Sequence, residues 1–334
     1  METIHMDLKE NSYDIIYEHG ILDRAKDFLN LDRKVLIVTD SGVPSIYSEK
    51  IAKQSKEGYI YTFKQGEASK NINTYQEVLK ELIKHNFSRK DVVVAVGGGV
   101  VGDLSGFVAA SYMRGIDFYN IPTTTLSQID SSIGGKVAID FEGVKNIVGA
   151  FYQPKRVLID PETLKTLNSR QLNEGLAEAI KTGLIGDEEL FRIFEEDNAL
   201  ERLDEVIIRS LKFKKYVVEN DEKEMGLRKV LNYGHTLGHA VESAVGLGEL
   251  LHGECVGLGM LMISKDEALK ERIKKVLEKY NLPTSYKYDK DKAYEALIHD
   301  KKANAKTVST VIVDKVGSFY FEDVSTESLR GKLQ

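Results

Sequence analysis

The sequence predicts an α/β protein in which an N-terminal domain built on a parallel sheet precedes a mostly helical C-terminal domain. Three observations predict this class. β-rich and helical runs alternate in the first half of the chain, a glycine-rich loop directly follows an apolar run, and β-rich runs almost disappear after Asp160 and Pro161. Alternating strands and helices are typical of a parallel sheet covered by helices on both faces.

Three apolar runs in the first half predict strands, at residues 34–38, 59–63 and 91–96. Between the last two, apolar residues recur at helical spacing and predict a helix over 74–86. The start of the chain predicts two further strands, which would pair as a hairpin across Glu10 and Asn11, at 3–9 and 12–17.

The C-terminal domain is predicted to begin at a helix that Asp160 can cap, with Pro161 at the first helical position. Helical patterns continue to about residue 302, and a short helix ends the chain after two β-rich runs at 307–313 and 317–321. Active sites often lie in the cleft between two such domains. The predicted domains have the bounds 1–160 and 161–334.

The composition excludes several classes of protein. The 334 residues are 42% hydrophobic and 29% charged, which is ordinary for a globular chain and argues against global disorder. A formal net charge of −6 offers no basic surface for a dedicated nucleic-acid binder. No apolar run approaches the roughly 18 residues of a membrane span, and the N-terminus lacks the pattern of a secretory signal. The single cysteine, Cys255, excludes an internal disulfide and fits a cytoplasmic location.

A glycine-rich loop, residues 97–103, joins the strand at 91–96 to a helical run. Such a loop lets the backbone approach a ligand, and the helix N-terminus then offers free N–H groups to a phosphate. The glycines formally satisfy G-x-G-x-x-G, and Asp117 lies about where the dinucleotide fingerprint expects an acidic residue. The match alone is weak, because a tight packing turn explains it too and two strand–helix units already precede the loop. Phosphate binding is therefore a stronger prediction than a ribose contact by Asp117.

A polar block at residues 121–136 is difficult to explain as core. It concentrates hydroxyl groups, one carboxylate and one lysine, and Lys145 and Asn146 follow after a predicted turn at Glu142 and Gly143. Taken singly, the threonines could cap a helix and Lys136 could be a surface charge. Together these residues suit an anionic, polyhydroxylated ligand, which needs donors, acceptors and cations at fixed positions.

Three of the seven histidines, His235, His239 and His252, fall within 18 residues and indicate a metal site. The first two are four apart in a helical pattern and therefore share a face. Imidazole is a usual ligand of Zn²⁺, and three protein ligands with an open position mark a catalytic site. For any one histidine, ordinary packing is an equally good explanation.

The best oxygen donors are Glu174 and Glu178. Glu178 lies in the apolar part of a predicted helix, where an unpaired carboxylate would be costly and a metal would compensate its charge. A surface ion pair with Lys181 is the alternative. The charged segment from Lys214 to Arg228 is, on chemistry alone, mostly solvated surface.

These blocks, in this order, resemble the 3-dehydroquinate synthase family over most of the chain, from about residue 40 to about 302. The matching motifs are the glycine loop at 97–103, the polar block at 121–136, residues 145–154, the helix that carries Glu178, and residues 232–252. The resemblance implies zinc, or another divalent metal such as Co²⁺, held by Glu178, His235 and His252, with His239 in substrate binding or proton transfer. This differs from the ligand pair that helical spacing suggests.

The resemblance also implies an NAD site formed by Asp40, Glu67, Lys70, Gly98, Gly99, Val100, Val101, Asp103, Thr123, Thr124, Lys136, Lys145, Thr163 and Thr166. It implies contacts with substrate or with the reacting groups for Asp130, Lys136, Asn146, Lys181, Lys214, Glu224, Arg228, Asn232, His239 and the pair Lys301 and Lys302. Family members are similar in forming homodimers that lend an arginine to the neighbouring subunit, which would be Arg114 here. Asp117 would have no ribose role.

The activity implied by this resemblance is conversion of 3-deoxy-D-arabino-heptulosonate 7-phosphate to 3-dehydroquinate and phosphate in the shikimate pathway. Transient oxidation by NAD, phosphate elimination, reduction and an intramolecular aldol closure would accomplish it. A cyclitol-forming sugar phosphate cyclase such as 2-deoxy-scyllo-inosose synthase is one alternative. A metal-dependent polyol dehydrogenase is another, and a catalytically inactive NAD-binding module is a third, against which the intact set of charged residues argues.

Overall fold

The computed structural model describes residues 1–246, 248–300 and 307–333. Its contacts divide the chain into two compact units, one at Met1–Leu167 and the other starting at Asn168. The sequence analysis placed the boundary between residues 160 and 161. Lys301 and Lys302, which the resemblance assigned to substrate binding, lie outside the described residues.

The first unit is built on a seven-stranded sheet with a separate hairpin. Its strands are β1 (Glu2–Met6), β2 (Tyr13–Tyr17), β3 (Lys34–Asp40), β4 (Glu57–Phe63), β5 (Val92–Gly97), β6 (Asp117–Pro122), β7 (Lys136–Phe141), β8 (Val144–Phe151) and β9 (Arg156–Ile159). The large sheet has the order β1-β2-β9-β6-β5-β3-β4, and β7 pairs with β8 alone. Only the β1–β2 pair of the large sheet is antiparallel. The α/β class with a parallel sheet is therefore confirmed.

The central strand β5 shows why the sheet is parallel and covered on both faces. Val92, Val94 and Val96 pack into one apolar cluster, whereas Val93 and Ala95 pack into another on the opposite face. A strand whose neighbouring residues are all apolar can form only where both faces are buried. The helices of this unit are α1 (Ser45–Gln54), α2 (Ile72–Lys84) and α3 (Gly99–Ser111).

Local signals explain several turns and ends. The predicted N-terminal hairpin forms, but its first strand stops at Met6 and a 3₁₀-helix at Lys9–Asn11 follows. The predicted turn at Glu142 and Gly143 joins β7 to β8, and both residues have positive φ, which glycine adopts without strain. Asp160 caps a 3₁₀-helix at Pro161–Thr166 by accepting a hydrogen bond from the backbone N–H of Glu162.

The second unit is mostly helical. Its helices are α4 (Ser169–Gly186), α5 (Glu188–Glu196), α6 (Leu203–Asn220), α7 (His235–Val245), α8 (His252–Ile263), α9 (Glu267–Lys279), α10 (Lys290–Asp300) and α11 (Thr326–Lys332). The two predicted β-rich runs form an antiparallel hairpin of β10 (Thr307–Lys315) and β11 (Ser318–Ser325). Within the described ranges, no helix combines the length and apolar character needed to cross a membrane.

Candidate functional sites in the two units

Glu178 is the centre of the candidate site in the second unit. It lies on α4, and its side chain is only 1% exposed. Its Oε1 atom is 3.5 Å from Nε2 of His235 and 3.5 Å from Nε2 of His252. Its Oε2 atom forms an ion pair with Lys181 one turn later. Among the described residues, neither carboxylate oxygen has a hydrogen bond of regular geometry, so this buried group suits a cation.

Three imidazole rings form one cluster, and two of them lie beside this carboxylate. His235 is the first residue of α7, His239 follows one turn later, and His252 is the first residue of α8. Their ring centroids are 5.2 to 5.5 Å apart, and one nitrogen from each ring lies within 4.8 Å of the others. Distances alone therefore allow two ligand sets, one with Glu178 and one with three imidazoles.

Glycines allow α7 and α8 to approach closely enough to bring these rings together. A Cβ atom on Gly238 of α7 would lie 2.7 Å from the carbonyl oxygen of Cys255 on α8. A Cβ atom on Gly259 of α8 would lie 1.9 Å from the carbonyl oxygen of Gly234. Any larger residue at these positions would push the helices apart. Gly234 also has a positive φ of 77°, which starts α7 at His235.

The electrostatics of the cluster favour an ionised carboxylate. Burial raises the pKa of Glu178, but the charge of Lys181 and the interactions with His235 and His252 outweigh burial and hold that pKa well below its ordinary value. Burial, together with Lys181, holds the pKa of His235 well below its ordinary value, so this imidazole stays neutral. Burial lowers the pKa of His252, but Glu178 and Glu242 raise it to about 10. The deprotonated carboxylate and neutral imidazole are the forms that bind metal.

Three further predicted residues of this unit carry buried charge. Lys181 is 1% exposed and donates to the carbonyl oxygen of Leu231, at 2.8 Å, as well as pairing with Glu178. The ion pair of Lys181 with Glu178, which the sequence analysis considered as a surface pair, therefore forms, but both of its side chains are buried. Lys214 on α6 is 7% exposed and Arg228 is 2% exposed. The interpretation of this segment as mostly solvated surface is therefore wrong for Lys214 and Arg228, because packing of α6 and the following loop encloses them.

The loop after α6 is organised by one carboxylate. Asp221 accepts hydrogen bonds from the backbone N–H groups of Met225, Gly226 and Arg228. Within the same segment, Asn232 donates to Oε1 of Glu224 at 2.8 Å. Asp221 has no predicted role, yet it holds the segment that contains three of the predicted substrate residues.

In the first unit, the glycine loop forms the start of α3 as predicted. Gly97 ends β5, and Gly98 is the N-cap of α3 and supplies no side-chain cap. A Cβ atom on Gly98 would lie 3.1 Å from Cγ2 of Thr124, and one on Gly99 would lie 3.3 Å from Oγ of Ser131. The loop therefore packs against the polar block, and the first turn of α3, with Val100 and Val101, presents N–H groups suited to a phosphate.

Asp117 does not lie beside this loop. It starts β6, whereas the loop follows the end of β5, and the two strands are parallel. Asp117 pairs instead with Nη1 of Arg33 at 2.6 Å. The formal fingerprint therefore misplaces the acidic residue, as the family resemblance also implied.

A buried lysine joins three other predicted cofactor and substrate residues. Lys70 is 4% exposed, and its Nζ atom lies 2.6 Å from Oδ2 of Asp103, 3.7 Å from Oε1 of Glu67 and 2.5 Å from Oδ1 of Asn146. Burial lowers the pKa of Lys70, but the neighbouring carboxylates raise it above its ordinary value. Asn146, expected at the substrate, here bonds to a residue expected at the cofactor.

The remaining predicted residues of this unit have these places. Asp40 ends β3 and accepts from the N–H of Gly42, and burial raises its pKa. Gln128, which the sequence analysis did not single out, donates to Oγ1 of Thr163 and to the carbonyl oxygens of Pro122 and Asp160. Other positions are Thr123 after β6, Asp130 in the π-helix Ser127–Ser131, Lys136 at the start of β7, Lys145 in β8, Thr166 beside Tyr47, and Arg114 with positive φ after α3.

The comparisons with known proteins decide the family. Residues 60–174 match the family described as 3-dehydroquinate synthase N-terminal, and residues 175–303 match 3-dehydroquinate synthase C-terminal. The chain belongs to the 3-dehydroquinate synthase family. A 3-dehydroquinate synthase of Clostridium acetobutylicum is 44% identical, and the match covers 98% of each chain.

Two solved structures share this family's fold. A 2-deoxy-scyllo-inosose synthase, complexed with carbaglucose-6-phosphate, NAD⁺ and Co²⁺, has a TM-score of 0.87 and 25% identity, with coverage of 99% of this chain and 100% of that one. A 2-epi-5-epi-valiolone synthase from Streptomyces hygroscopicus, with NAD⁺ and Zn²⁺ bound, has a TM-score of 0.87 and 29% identity, with coverage of 98% and 97%.

Proposed function

We propose that this protein is a 3-dehydroquinate synthase, which converts 3-deoxy-D-arabino-heptulosonate 7-phosphate to 3-dehydroquinate and phosphate. The observation that carries the proposal is the buried carboxylate of Glu178 with two imidazole nitrogens at 3.5 Å, in a chain 44% identical to a 3-dehydroquinate synthase. The cyclitol-forming relative is only 25% identical. The identity therefore favours the dehydroquinate synthase over the cyclitol alternative.

The metal site is proposed at Glu178, His235 and His252. The donor set of one carboxylate and two imidazoles suits Zn²⁺, and Co²⁺ accepts the same ligands. A metal held there would act as a Lewis acid toward the hydroxyl and carbonyl oxygens of the substrate. Glu178 is favoured over His239 as the third ligand because its oxygens are buried and lack other regular hydrogen bonds in the described part of the chain.

The cofactor is proposed to be NAD, bound by the first unit. The N–H groups at the start of α3 suit its pyrophosphate, because a helix N-terminus attracts anions. Bound NAD would accept a hydride from the substrate and later return it, so it would not be consumed. Lys70, Asp103 and Glu67 form one charged network in this unit, and we place that network at the cofactor.

The cationic side chains of the second unit are proposed to hold the anionic groups of the substrate. Lys181, Lys214 and Arg228 are each less than a tenth exposed, and hydrogen bonds from cations to phosphate or carboxylate are strong where water is excluded. His239 is proposed to hold or pass the proton of the C5 hydroxyl, and the family resemblance gives Asp130 as a further candidate for that role. Asn232 and Glu224 would orient the substrate's hydroxyl groups.

Two further parts of the proposal rest on the family resemblance. The protein would act as a homodimer in which Arg114 of one subunit reaches the substrate of the other. It would also act in the cytoplasm, in agreement with its single cysteine.

The test is release of phosphate from 3-deoxy-D-arabino-heptulosonate 7-phosphate by purified protein, with catalytic amounts of NAD⁺ and added Zn²⁺. We expect NAD-dependent phosphate release, formation of dehydroquinate detected with dehydroquinate dehydratase, and no accumulation of NADH. Net formation of NADH would instead indicate a polyol dehydrogenase. Phosphate release from glucose 6-phosphate alone would indicate a cyclitol synthase.

A further inference from the structure

We propose that Arg170 and Glu254 are positioning residues that fix the metal ligand His252. The inference rests on the proposed function, since it concerns the metal site of that function. α8 begins at His252, so the orientation of its first turn determines where this imidazole points. Neither Arg170 nor Glu254 belongs to the expected metal, cofactor or substrate residues.

The contact between these two residues is bidentate, and its carboxylate is buried while the arginine is half-exposed. Nε and Nη2 of Arg170 lie 2.7 Å from Oε1 and Oε2 of Glu254, respectively. Nη2 of Arg170 also donates to the carbonyl oxygen of Glu249 at 2.7 Å. The side chain of Glu254 is 6% exposed, and its Oε2 accepts the N–H of Leu251 at 2.8 Å. One carboxylate thus fixes the residues on both sides of His252 and ties them to α4.

A regular row of side chains on α4 makes these contacts. Arg170, Glu174 and Glu178 are spaced by four residues and therefore lie along one face of the helix. They contact successive residues of α8 in reverse order: Glu178 is near His252, Glu174 accepts the N–H of Gly253 at 3.0 Å, and Arg170 pairs with Glu254. The first turn of α8 is thus positioned along α4 at three points.

The two helices approach each other closely at the start of α8. A Cβ atom on Gly253 would lie 1.9 Å from the carbonyl oxygen of Glu174, so α8 starts directly against the backbone of α4. Metal ligands must be placed to within about 0.2 Å of their preferred distance. Loss of the Arg170–Glu254 pair removes the outermost of the three contacts, so it allows His252 to move relative to Glu178.

The chain contains a matched control for this pair. Nε and Nη2 of Arg272 on α9 lie 2.7 Å from Oε1 and Oε2 of Glu195 on α5, respectively. The arginine side chains of the two pairs are 50% and 49% exposed. The Arg272–Glu195 pair contains no residue adjacent to a proposed metal ligand. An effect on metal binding that comes only from a weakened fold should therefore appear in both variants.

The experiment compares wild type with R170Q, R170K and R272Q. Zinc dissociation constants are measured by competition with a chelator, the absorption spectrum of the Co²⁺ form is recorded, and urea unfolding of the metal-free forms shows that each variant folds. We expect R170Q to bind zinc roughly 10- to 100-fold more weakly, as is usual when a residue that orients a ligand is lost. R170K should recover part of that loss and R272Q should bind zinc like wild type. The Co²⁺ spectrum should change in R170Q alone.

Several outcomes would contradict this inference. Unchanged zinc affinity and an unchanged Co²⁺ spectrum in R170Q would overturn it, as would an equal loss of affinity in R272Q. If R170Q does not fold, E254Q provides the same test, because glutamine still accepts the N–H of Leu251 while the ion pair is lost. If the wild-type protein does not bind zinc at all, the proposed metal site itself is overturned. If the wild-type protein binds zinc and R170Q binds it equally well, only the positioning role of Arg170 and Glu254 is overturned.

Discussion

Replacement of Lys181 by methionine tests whether the charge of Glu178 requires compensation. Lys181 pairs with Oε2 of Glu178, and the two side chains are 2% and 1% exposed. K181M keeps most of the buried volume but leaves the buried carboxylate with the His252 imidazole, 3.5 Å away, as its remaining cationic partner. Removing one partner of a buried ion pair typically costs about 3–5 kcal/mol. Because His252 still compensates part of the charge of Glu178, we expect the free energy of unfolding of the metal-free protein to fall by about the lower end of that range.

A divalent metal should reverse much of this loss. Because the metal is proposed to bind Glu178, it would supply the positive charge that K181M removes, and ligand binding to the folded state adds stability in any case. The assay is urea unfolding with and without zinc, for wild type, K181M and K215M. Lys215 pairs with Glu219 at 2.8 Å on α6, but this pair is partly exposed, so K215M should cost at most about 1 kcal/mol.

The pH dependence of stability provides a second measurement of the same effect. Because the folded pKa of Glu178 lies below its ordinary value of 4.5, its ionisation stabilises the fold above pH 4.5, and this stability is lost as the pH falls through the folded pKa. K181M removes the main cation that lowers this pKa. The variant should therefore differ most from wild type above pH 4.5 and approach it in acid. Equal losses of stability in K181M and K215M would refute the reasoning.

Three other predictions concern the metal and cofactor sites. H235A should lose bound zinc whereas H239A should retain it and lose turnover, as measured by zinc content and phosphate release; loss of zinc in H239A would favour the three-imidazole ligand set. D117N should leave the dissociation constant of NAD⁺ unchanged, whereas G98V should weaken NAD⁺ binding strongly, because the valine side chain would fill the glycine loop. Titration calorimetry measures both constants. The opposite pattern would support the ribose contact by Asp117 that the formal fingerprint suggests. Because the pKa of His252 is about 10 before zinc binds, zinc must displace a proton from this imidazole, and zinc affinity should rise with pH up to about 10. Titration calorimetry in buffers of different ionisation enthalpy measures the released proton. Zinc binding without proton release would contradict this prediction.

Residues with a strong local pattern were predicted well from the sequence. The uninterrupted apolar run at 91–96 predicts a strand that is buried on both faces, and β5 packs into two apolar clusters as expected. By contrast, β6 was not assigned, because Asp117 and Asn120 interrupt its apolar pattern. Asn120 is nevertheless buried, and its side-chain amide donates to the carbonyl oxygen of Ser132. The hydrogen bond that offsets the burial of Asn120 comes from a segment twelve residues away, so the local pattern of apolar residues does not predict it.

The candidate metal site shows the same limit more sharply. Helical spacing brings His235 and His239 onto one face of α7, but the carboxylate of Glu178 comes from α4. The number of residues between α4 and α7 does not indicate whether the two helices are in contact. The signal that could have suggested the contact is Gly253, which permits the start of α8 to pack directly against α4. Without the partner helix, a glycine in a helical pattern is only a weak former of helix. The family resemblance supplied what spacing could not.

Lys181 connects the stability of the second unit to its proposed chemistry. In the metal-free state its ammonium group compensates Glu178 and also donates to the carbonyl oxygen of Leu231. A lysine whose charge is balanced by a buried carboxylate attracts a substrate anion only weakly. Neutralisation of Glu178 by a bound cation weakens that hold, and the same ammonium group then becomes available for the substrate. Binding of metal should therefore strengthen binding of substrate by more than its direct contacts provide, and the coupling should weaken in K181M, because that variant lacks the group whose interactions differ between the two states.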